Sequence, residues 1–305
     1  MRYFVIVNPT AGRGLGEKSV PAIETFFRER GLNFTLRRTE RQGHAVEMAA
    51  QAARDGFEVV VCASGDGTVN EAINGLMQAR AEGFSPAFGV LTIGTGNDFA
   101  GGVGIPTTLS ESLAALAANQ RRKIDLGLVR GGDYPQGRYF GNGIGLGFDA
   151  AVGFAALQVR FVRGLPAYLI GAIETVFFYY KAPRLKIELD GEIIEQNSLM
   201  VSVMNGQRMG GGFRMAPRGD VSDGWLDVCI AETAGKLRIF GLIPHFLRGD
   251  QENEPEIKMR RAREIRIQAL EGSFPAHADG ETLCLAGNQL SVSLLPGALE
   301  VICQK

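Results

Sequence analysis

The sequence lacks an excess of charge of either sign. Its 32 basic and 33 acidic residues leave a net charge of −1, so nothing electrostatic argues for a nucleic-acid partner, whose phosphates call for a basic surface. Paired cysteines are missing too. Cys62, Cys229, Cys284 and Cys303 lie far apart with no C-x-x-C spacing, which excludes a zinc ribbon or a disulfide framework and predicts reduced core residues of a cytoplasmic protein. No apolar run is long enough to span a bilayer: the stretch from Gly164 to Tyr180 is interrupted by Pro166 and Glu174. The opening MRYFVIVNPT has neither a basic n-region nor a small-residue cleavage site, which predicts no cleaved leader. Proline is scarce, at 12 residues, while 45% of the chain is apolar, so a collagen-like or disordered chain is excluded. No repeat or low-complexity segment is visible.

Glycine is in surplus. Its 41 copies in 305 residues are nearly double the roughly 7% of average usage. In a chain with ample core material, such residues mark turns or places where backbone must approach something closely.

The periodicity divides the chain in two. Up to about residue 125, continuous apolar runs (Tyr3–Val7, Val59–Cys62, Phe88–Ile93) and a weaker strand at Phe34–Arg38 alternate with helical segments at Glu17–Arg30, His44–Arg54, Thr68–Met77 and Leu109–Asn119. That alternation predicts an α/β domain, residues 1–125, with a parallel sheet. From 126 to 295 short β runs dominate: Leu126–Val129, Arg138–Ile144, Leu185–Leu189, Leu199–Met204, Leu226–Ala231, Ile265–Gln268 and Leu290–Leu295. Only the helical stretches Ala150–Tyr180 and Lys236–Leu247 interrupt them. This half reads as an antiparallel β-sandwich or barrel. The segment from about 296 to 305, with a strand at Leu299–Ile302, is one that can return to the first domain.

The first domain's glycines gather at strand ends. Asn8-Pro9-Thr10-Ala11-Gly12, Ser64-Gly65-Asp66-Gly67-Thr68 and Gly94-Thr95-Gly96-Asn97-Asp98 each leave a buried strand and open onto a helix. In an open α/β sheet, ligands bind at the carboxyl ends of strands, and helix N-termini there attract phosphate. An isolated Asp-Gly reads as an ordinary turn; three such turns on one edge read as a phosphate site. Asp66 and Asp98, with Asp125 at the end of the domain, suit a hard cation such as Mg²⁺. Two other patterns fail. Gly12–Ser19 has Glu17 where a P-loop needs glycine, and Gly143-Ile144-Gly145-Leu146-Gly147 misplaces the third glycine of a dinucleotide fingerprint. Late in the chain, Asp279-Gly280-Glu281 puts two carboxylates around a glycine, locally a hairpin turn and otherwise a source of a catalytic base.

In the order and spacing of these motifs the chain resembles the soluble diacylglycerol, sphingosine and ceramide lipid kinases, nearly end to end and most closely the bacterial members. The resemblance implies an N-terminal domain like that of NAD kinases and phosphofructokinases, a C-terminal β-sandwich, and ATP in the cleft between them. The γ-phosphate then passes to a lipid hydroxyl with Mg²⁺. It implies that Asn8, Thr39, Gly65, Asp66, Gly67, Thr68, Asn70, Glu71 and Thr95 surround the nucleotide, and that Asp66, Asp98 and Asp125 organise the metal. Asp279 matches the family's general base, with Glu281 beside it as the other carboxylate given that role. Asp220-Val221-Ser222-Asp223-Gly224-Trp225 matches a second, structural Mg²⁺ loop, with Asp223 as side-chain ligand and carbonyls from Asp220 and Trp225; an ordinary Asp-Gly turn is the competing reading. Ser64 stands where many members carry glycine, and this leaves the lipid open. Phe161, Leu165, Tyr168, Leu169, Phe177 and Phe178, with Arg160 and Arg163, suit either a lipid-admitting surface in peripheral contact with a membrane or plain core. The basic run Lys258, Arg260, Arg261, Arg263 and Arg266 reads as a solvated strand face, with anionic lipid as a second reading. A homodimer is one assembly open to such a chain. Rival functions are an NAD kinase, which shares the Gly-Asp-Gly turn, and a catalytically silent lipid- or nucleotide-binding regulator. Asn97-Asp98 and the long β-rich half favour the lipid kinase over the first, and the intact carboxylates count against the second.

Overall fold

The computed structural model describes residues 1–94, 96–158, 165–178 and 182–304. The chain divides into two compact units, Met1–Ile124 with Gly297–Lys305, and Asp125–Pro296.

Unit 1 alternates strand and helix: β1 (Arg2–Val7), α1 (Ala11–Glu29), β2 (Asn33–Arg38), α2 (His44–Arg54), β3 (Val59–Ser64), α3 (Asp66–Ala81), β4 (Ala87–Thr92), α4 (Asp98–Val103), α5 (Leu109–Ala118) and the start of β5 (Arg121–Gly131). Its strands run parallel in the order β4-β3-β1-β2. β3 and β4 are buried at every position, which is why they read as unbroken apolar runs. The alanine face of α2 (Ala45, Ala49, Ala52, Ala53) is buried, and its small side chains let α3 pack closely against it. The core gathers Tyr3, Phe27, Val61, Leu91 and Leu116. α4, with two glycines in its six residues, is a helix the apolar pattern does not announce.

Unit 2 continues with β6 (Tyr134–Phe140), β7 (Gly143–Gly147), α6 (Phe148–Gln158), α7 (Leu165–Phe178), β8 (Arg184–Leu189), β9 (Glu192–Met204), β10 (Leu226–Glu232), α8 (Lys236–Arg248), β11 (Ile257–Ala262), β12 (Glu264–Glu271), β13 (Phe274–Ala278), β14 (Glu281–Gly287) and β15 (Gln289–Ile302). Its pairings are antiparallel. β14-β13-β7-β9-β10-β11 form one run and β9-β8-β12-β15 another, so the long β9 serves both. The sandwich core holds Phe140, Ile144, Val203, Val228, Ile267 and Phe274.

Several sequence expectations shift. Arg138–Ile144 is two strands, broken where the backbone of Gly141 and Asn142 turns to hydrogen-bond Asp279. Ala150–Tyr180 is two helices, with 159–164 outside the described residues. Leu290–Leu295 and Leu299–Ile302 are one strand, β15, which pairs with β12 early and, at Val301, in parallel with Phe88 of β4. The basic run lies along β11, Arg263 and β12 with Arg260, Arg261, Arg263 and Arg266 exposed, as a solvated face would be; at that surface Arg260 pairs with Glu192, Arg261 with Asp227 and Asp223, and Arg263 lies over the Trp225 ring. All four cysteines are free and buried. Among the described residues no helix is long and apolar enough to cross a membrane.

Candidate active site

The three strand-end turns of unit 1 are locked together. Asn8 follows β1; its Nδ2 donates to Thr68 Oγ1 at 2.9 Å, while its Oδ1 accepts from the Thr10 amide at 3.0 Å. Thr68 is thereby fixed on the first turn of α3. Backbone contact joins the second and third turns. A β-carbon at Gly94 would stand 2.6 Å from Gly65 Cα, and one at Gly96 would stand 2.8 Å from Asp66 Oδ2. One at Gly16 would run into the carbonyl oxygen of Asn8. Glycine is therefore the condition of the turns meeting.

Asp66 opens α3, and its Oδ1 accepts from the Phe99 amide at 3.2 Å. This ties it to the residue after Asp98, at the start of α4. Asn97, in the left-handed region (φ 52°), turns the chain into α4 and closes on the Gly94 carbonyl at 2.9 Å. Thr39 leaves β2 with its amide on Val7 O at 2.8 Å. Thr95 lies outside the described residues. Glu71 has a different place from the one the resemblance implies. It is buried, and its carboxylate accepts from the Gly43 and Ala45 amides, capping α2. Asn70 is buried beside Asn74, whose amide it accepts.

Asp125 belongs to unit 2 and is buried there. Its Oδ2 accepts from Gly224 N at 2.8 Å, and its own amide donates to Val221 O at 2.6 Å. It anchors the 220–225 loop. Within that loop Asp220 takes the Ser222 amide and hydroxyl, and Asp223 takes the Trp225 amide and pairs with Arg261 at 2.9 Å. A guanidinium thus stands where the structural metal was expected to meet Asp223. Among the described residues no group of three or more His, Cys, Asp or Glu side chains could hold a metal. Asp66 and Asp98 still fit Mg²⁺, which needs only one or two carboxylates when water and substrate phosphate supply the rest.

Asp279 and Gly280 form the two-residue turn between β13 and β14, with φ of 47° and 84°. These are the positive angles of a type I′ hairpin, so the local reading of a turn holds. The Asp279 carboxylate accepts from the amides of Gly141 (2.8 Å), Asn142 (3.1 Å) and Gly143 (2.8 Å). At least three of its roughly four lone-pair positions are engaged. Glu281, half-buried, opens β14.

Residues 2–129 match the diacylglycerol kinase catalytic domain, and residues 142–303 match the YegS C-terminal NAD kinase beta sandwich-like domain. The chain is 31% identical over 274 residues to the Chromohalobacter salexigens protein named "Probable lipid kinase YegS-like", covering 89% of this chain and 84% of that one. The chain belongs to the diacylglycerol kinase-like lipid kinase family. Within it, the diacylglycerol kinase of Bacillus subtilis is 28% identical over 279 residues, covering 91% and 88% of the two chains. Among solved structures, a diacylglycerol kinase from Bacillus anthracis superposes with a TM-score of 0.75 at 23% identity, covering 99% of this chain and 97% of that one. Yeast NADH kinase superposes at 0.52 and 10% identity, covering 100% and 84%. These two likenesses speak to fold: the lipid kinase shares its architecture with NAD kinases at a distance.

Asp149 and His277 were not singled out by their sequence context. The signal was the alternation of Gly143, Gly145 and Gly147, dismissed above as a failed fingerprint. On β7, period two strips one face of the strand bare, and at Gly145 that bare face lies against Asp149 and His277.

Proposed function

We propose that this lipid kinase binds ATP with Mg²⁺ on the turns of unit 1 and phosphorylates a lipid hydroxyl held by unit 2. The observation that carries the reading is the interlocked set of turns, Asn8 on Thr68, Gly65 on Gly94 and Gly96 on Asp66. It gathers backbone amides, hydroxyls and a carboxylate at the carboxyl ends of parallel strands. Gly65, Gly67, Thr68 and Thr39 would line the phosphates, with Asn8 fixing Thr68. Asp66 and Asp98 would hold Mg²⁺, which when bound neutralises charge on the β- and γ-phosphate oxygens.

Chemistry here is mainly positioning. A carboxylate of the Asp279–Glu281 turn accepts the hydroxyl proton, the hydroxyl oxygen forms its bond to the γ-phosphorus, and the bond to the bridging oxygen breaks to release ADP. Peripheral membrane contact is supported by α7, where Ile170, Ile173 and Phe177 stand exposed at helical spacing, and by Leu237 of α8, which is 89% exposed. Lys236 lies 5.6 Å from the Phe177 ring centroid, a cation beside an apolar stripe.

The test is transfer from radiolabelled ATP to lipid in phosphatidylglycerol vesicles, with NAD as the competing acceptor and sedimentation of the chain with the vesicles read alongside. Asp66→Asn should lose about 10³-fold in turnover with an unchanged melting temperature. Full turnover in folded Asp66→Asn, or transfer to NAD alone, would overturn the reading.

A further inference from the structure

Unit 2 buries two polar clusters. One lies at an apolar pocket among α6, α7, β9, β10 and α8, where Asp149 stands among Met200, Met209, Met215, Phe213 and Phe246. Ser202 Oγ donates to its Oδ2 at 3.1 Å, and His277 Nε2 lies 3.9 Å from the same oxygen. The other cluster gathers around Asn205, the residue after β9, and adjoins the Asp279–Glu281 turn.

Asn205 is 1% exposed. Antiparallel pairing puts Met204 opposite Gly143, so the next step along the ladder brings Asn205 to Asn142. The Asn142 carbonyl accepts from the Asn205 amide at 2.8 Å and from the Gly206 amide at 2.9 Å. The Asn205 side chain turns its Nδ2 to two more carbonyls, Gly141 O and Asp125 O, each at 2.9 Å. Two carbonyls decide which end of the side-chain amide faces them, since an oxygen there would meet oxygen. Its own Oδ1 has no hydrogen-bond partner among the described residues, so the side chain serves as a donor.

Planarity carries that donation to Asp279. A trans peptide points its C=O and its N–H in opposite directions, so holding the oxygen at one end aims the hydrogen at the other. The Gly141 carbonyl shares a peptide with the Asn142 amide, and the Asn142 carbonyl shares one with the Gly143 amide. These are the two amides that grip Asp279 Oδ1, at 3.1 and 2.8 Å. Asn205 therefore holds, from the far side, both peptide groups whose near side holds that oxygen. Hydrogen bonds in such a chain also polarise and strengthen one another. Asp279 returns its own amide to Gly143 O at 2.9 Å, which ties turn and cradle in both directions. Through Asp125 O the same side chain joins the cradle to the residue that anchors the 220–225 loop.

We propose that Asn205 is a positioning residue for phosphoryl transfer. It fixes the cradle of Gly141, Asn142 and Gly143, the cradle fixes Asp279, and the two-residue turn thereby presents its carboxylates in one place. Asn205 acts through the cradle and not on the substrate. This inference rests on the reading of the Asp279–Glu281 turn as the source of the base. Only a side chain with two donors on one nitrogen, at this length, meets both carbonyls; aspartate would set oxygen against them, and leucine would leave them without its hydrogen bonds.

The test sets Asn205→Ala beside Gln251→Ala, each in the full chain. Gln251 is a second buried amide of unit 2, 0% exposed, that donates to two carbonyls, Arg214 O at 2.7 Å and Met215 O at 3.3 Å, neither of them in the cradle. Both variants should melt lower than the wild type. Asn205→Ala should also lower kcat about 10²-fold with the KM values for ATP and lipid nearly unchanged, whereas Gln251→Ala should keep kcat within about threefold. Asn205→Ser, whose hydroxyl keeps one of the two donations, should fall between alanine and wild type, and it replaces the alanine variant if that does not fold. Residue-resolved amide exchange gives a readout apart from activity. In Asn205→Ala it should rise about fivefold or more at Asn142 and Gly143, and less at Gly141, whose amide belongs to the Phe140 peptide.

A kcat no lower than that of Gln251→Ala, a loss carried by KM instead, or unchanged exchange at Asn142 and Gly143 would each overturn the role. If Asn205→Ala phosphorylates lipid as well as the wild type does, the positioning role fails and the kinase reading stands. If exchange rises at those two amides and the wild type phosphorylates no lipid, the kinase reading fails and takes the catalytic role with it, while the grip on Asp279 stands.

Discussion

The turns of unit 1 and the pocket of unit 2 are built from different materials. Around Asp66 the geometry is set by backbone meeting backbone, Gly94 against Gly65 and Gly16 beneath Asn8, so position depends on the absence of side chains. Around Asp149 the geometry is set by side chains filling space, with three methionines and several aromatics enclosing one polar cluster. The first construction is rigid and intolerant, because backbone atoms cannot rotate aside as the end of a side chain can. The second is adaptable, because methionine side chains repack readily. The contrast predicts that small additions are ruinous in unit 1 and graded in unit 2.

Gly94→Ala breaks that contrast most directly. The added methyl meets the Gly65 backbone, which cannot move as a side-chain end can, and should cost about 3 kcal/mol, read as a lower melting temperature together with lost ATP binding. A variant that melts and binds ATP like the wild type would show that the turns are looser than their contacts imply.

The two carboxylates of the β13–β14 turn sharpen the comparison inside unit 2. Asp279→Asn puts an amide where three backbone N–H groups need acceptors, and should cost about 1–3 kcal/mol of stability as well as turnover. Glu281→Gln should lower turnover with the melting temperature unchanged. Equal melting temperatures in the two variants would remove the structural role of Asp279.

The smallest effect concerns Asp149. Its carboxyl is held above the ordinary aspartate value near 3.9, so the folded state binds that proton more tightly than the unfolded chain does. The stability it contributes is complete below about pH 4 and is lost as pH rises through the folded value. Asp149→Asn has no such loss. Its melting temperature relative to wild type should therefore be highest at neutral pH and should fall toward zero difference near pH 4. A difference independent of pH would show that Asp149 is not shifted.

The same contrast explains what the sequence made legible. The three turns were readable because glycine, hydroxyl and carboxylate next to a buried strand constrain backbone directly, and backbone is local. α4 hid because Gly101 and Gly102 look like a loop; its first turn is held by tertiary contact, Phe99 N on Asp66. Glu71 sat within a turn-following segment that reads as nucleotide-facing, yet its carboxylate caps α2, a partner 26 residues away along the chain that no local pattern announces. The basic run of β11 and β12 was legible as an exposed face; its acid partners Glu192, Asp223 and Asp227 were not, because they come from other parts of the chain. Asp149 and His277 are distant in sequence and meet only through strand pairing, since β13 lies beside β7.

The course of β15 bears on how the molecule is made. Residues that complete unit 1 come after all of unit 2: Val301 pairs with Phe88, and the amides of Cys303 and Gln304 reach Gln120 and Gly104. During synthesis the N-terminal unit therefore emerges first and waits, its wholly buried strand β4 lacking the neighbour that arrives last. An uncovered apolar strand edge is a template for pairing with other chains. The closing strand of unit 1 is thus the last stretch of the chain to be made, and the edge of β4 is open to other partners until it arrives.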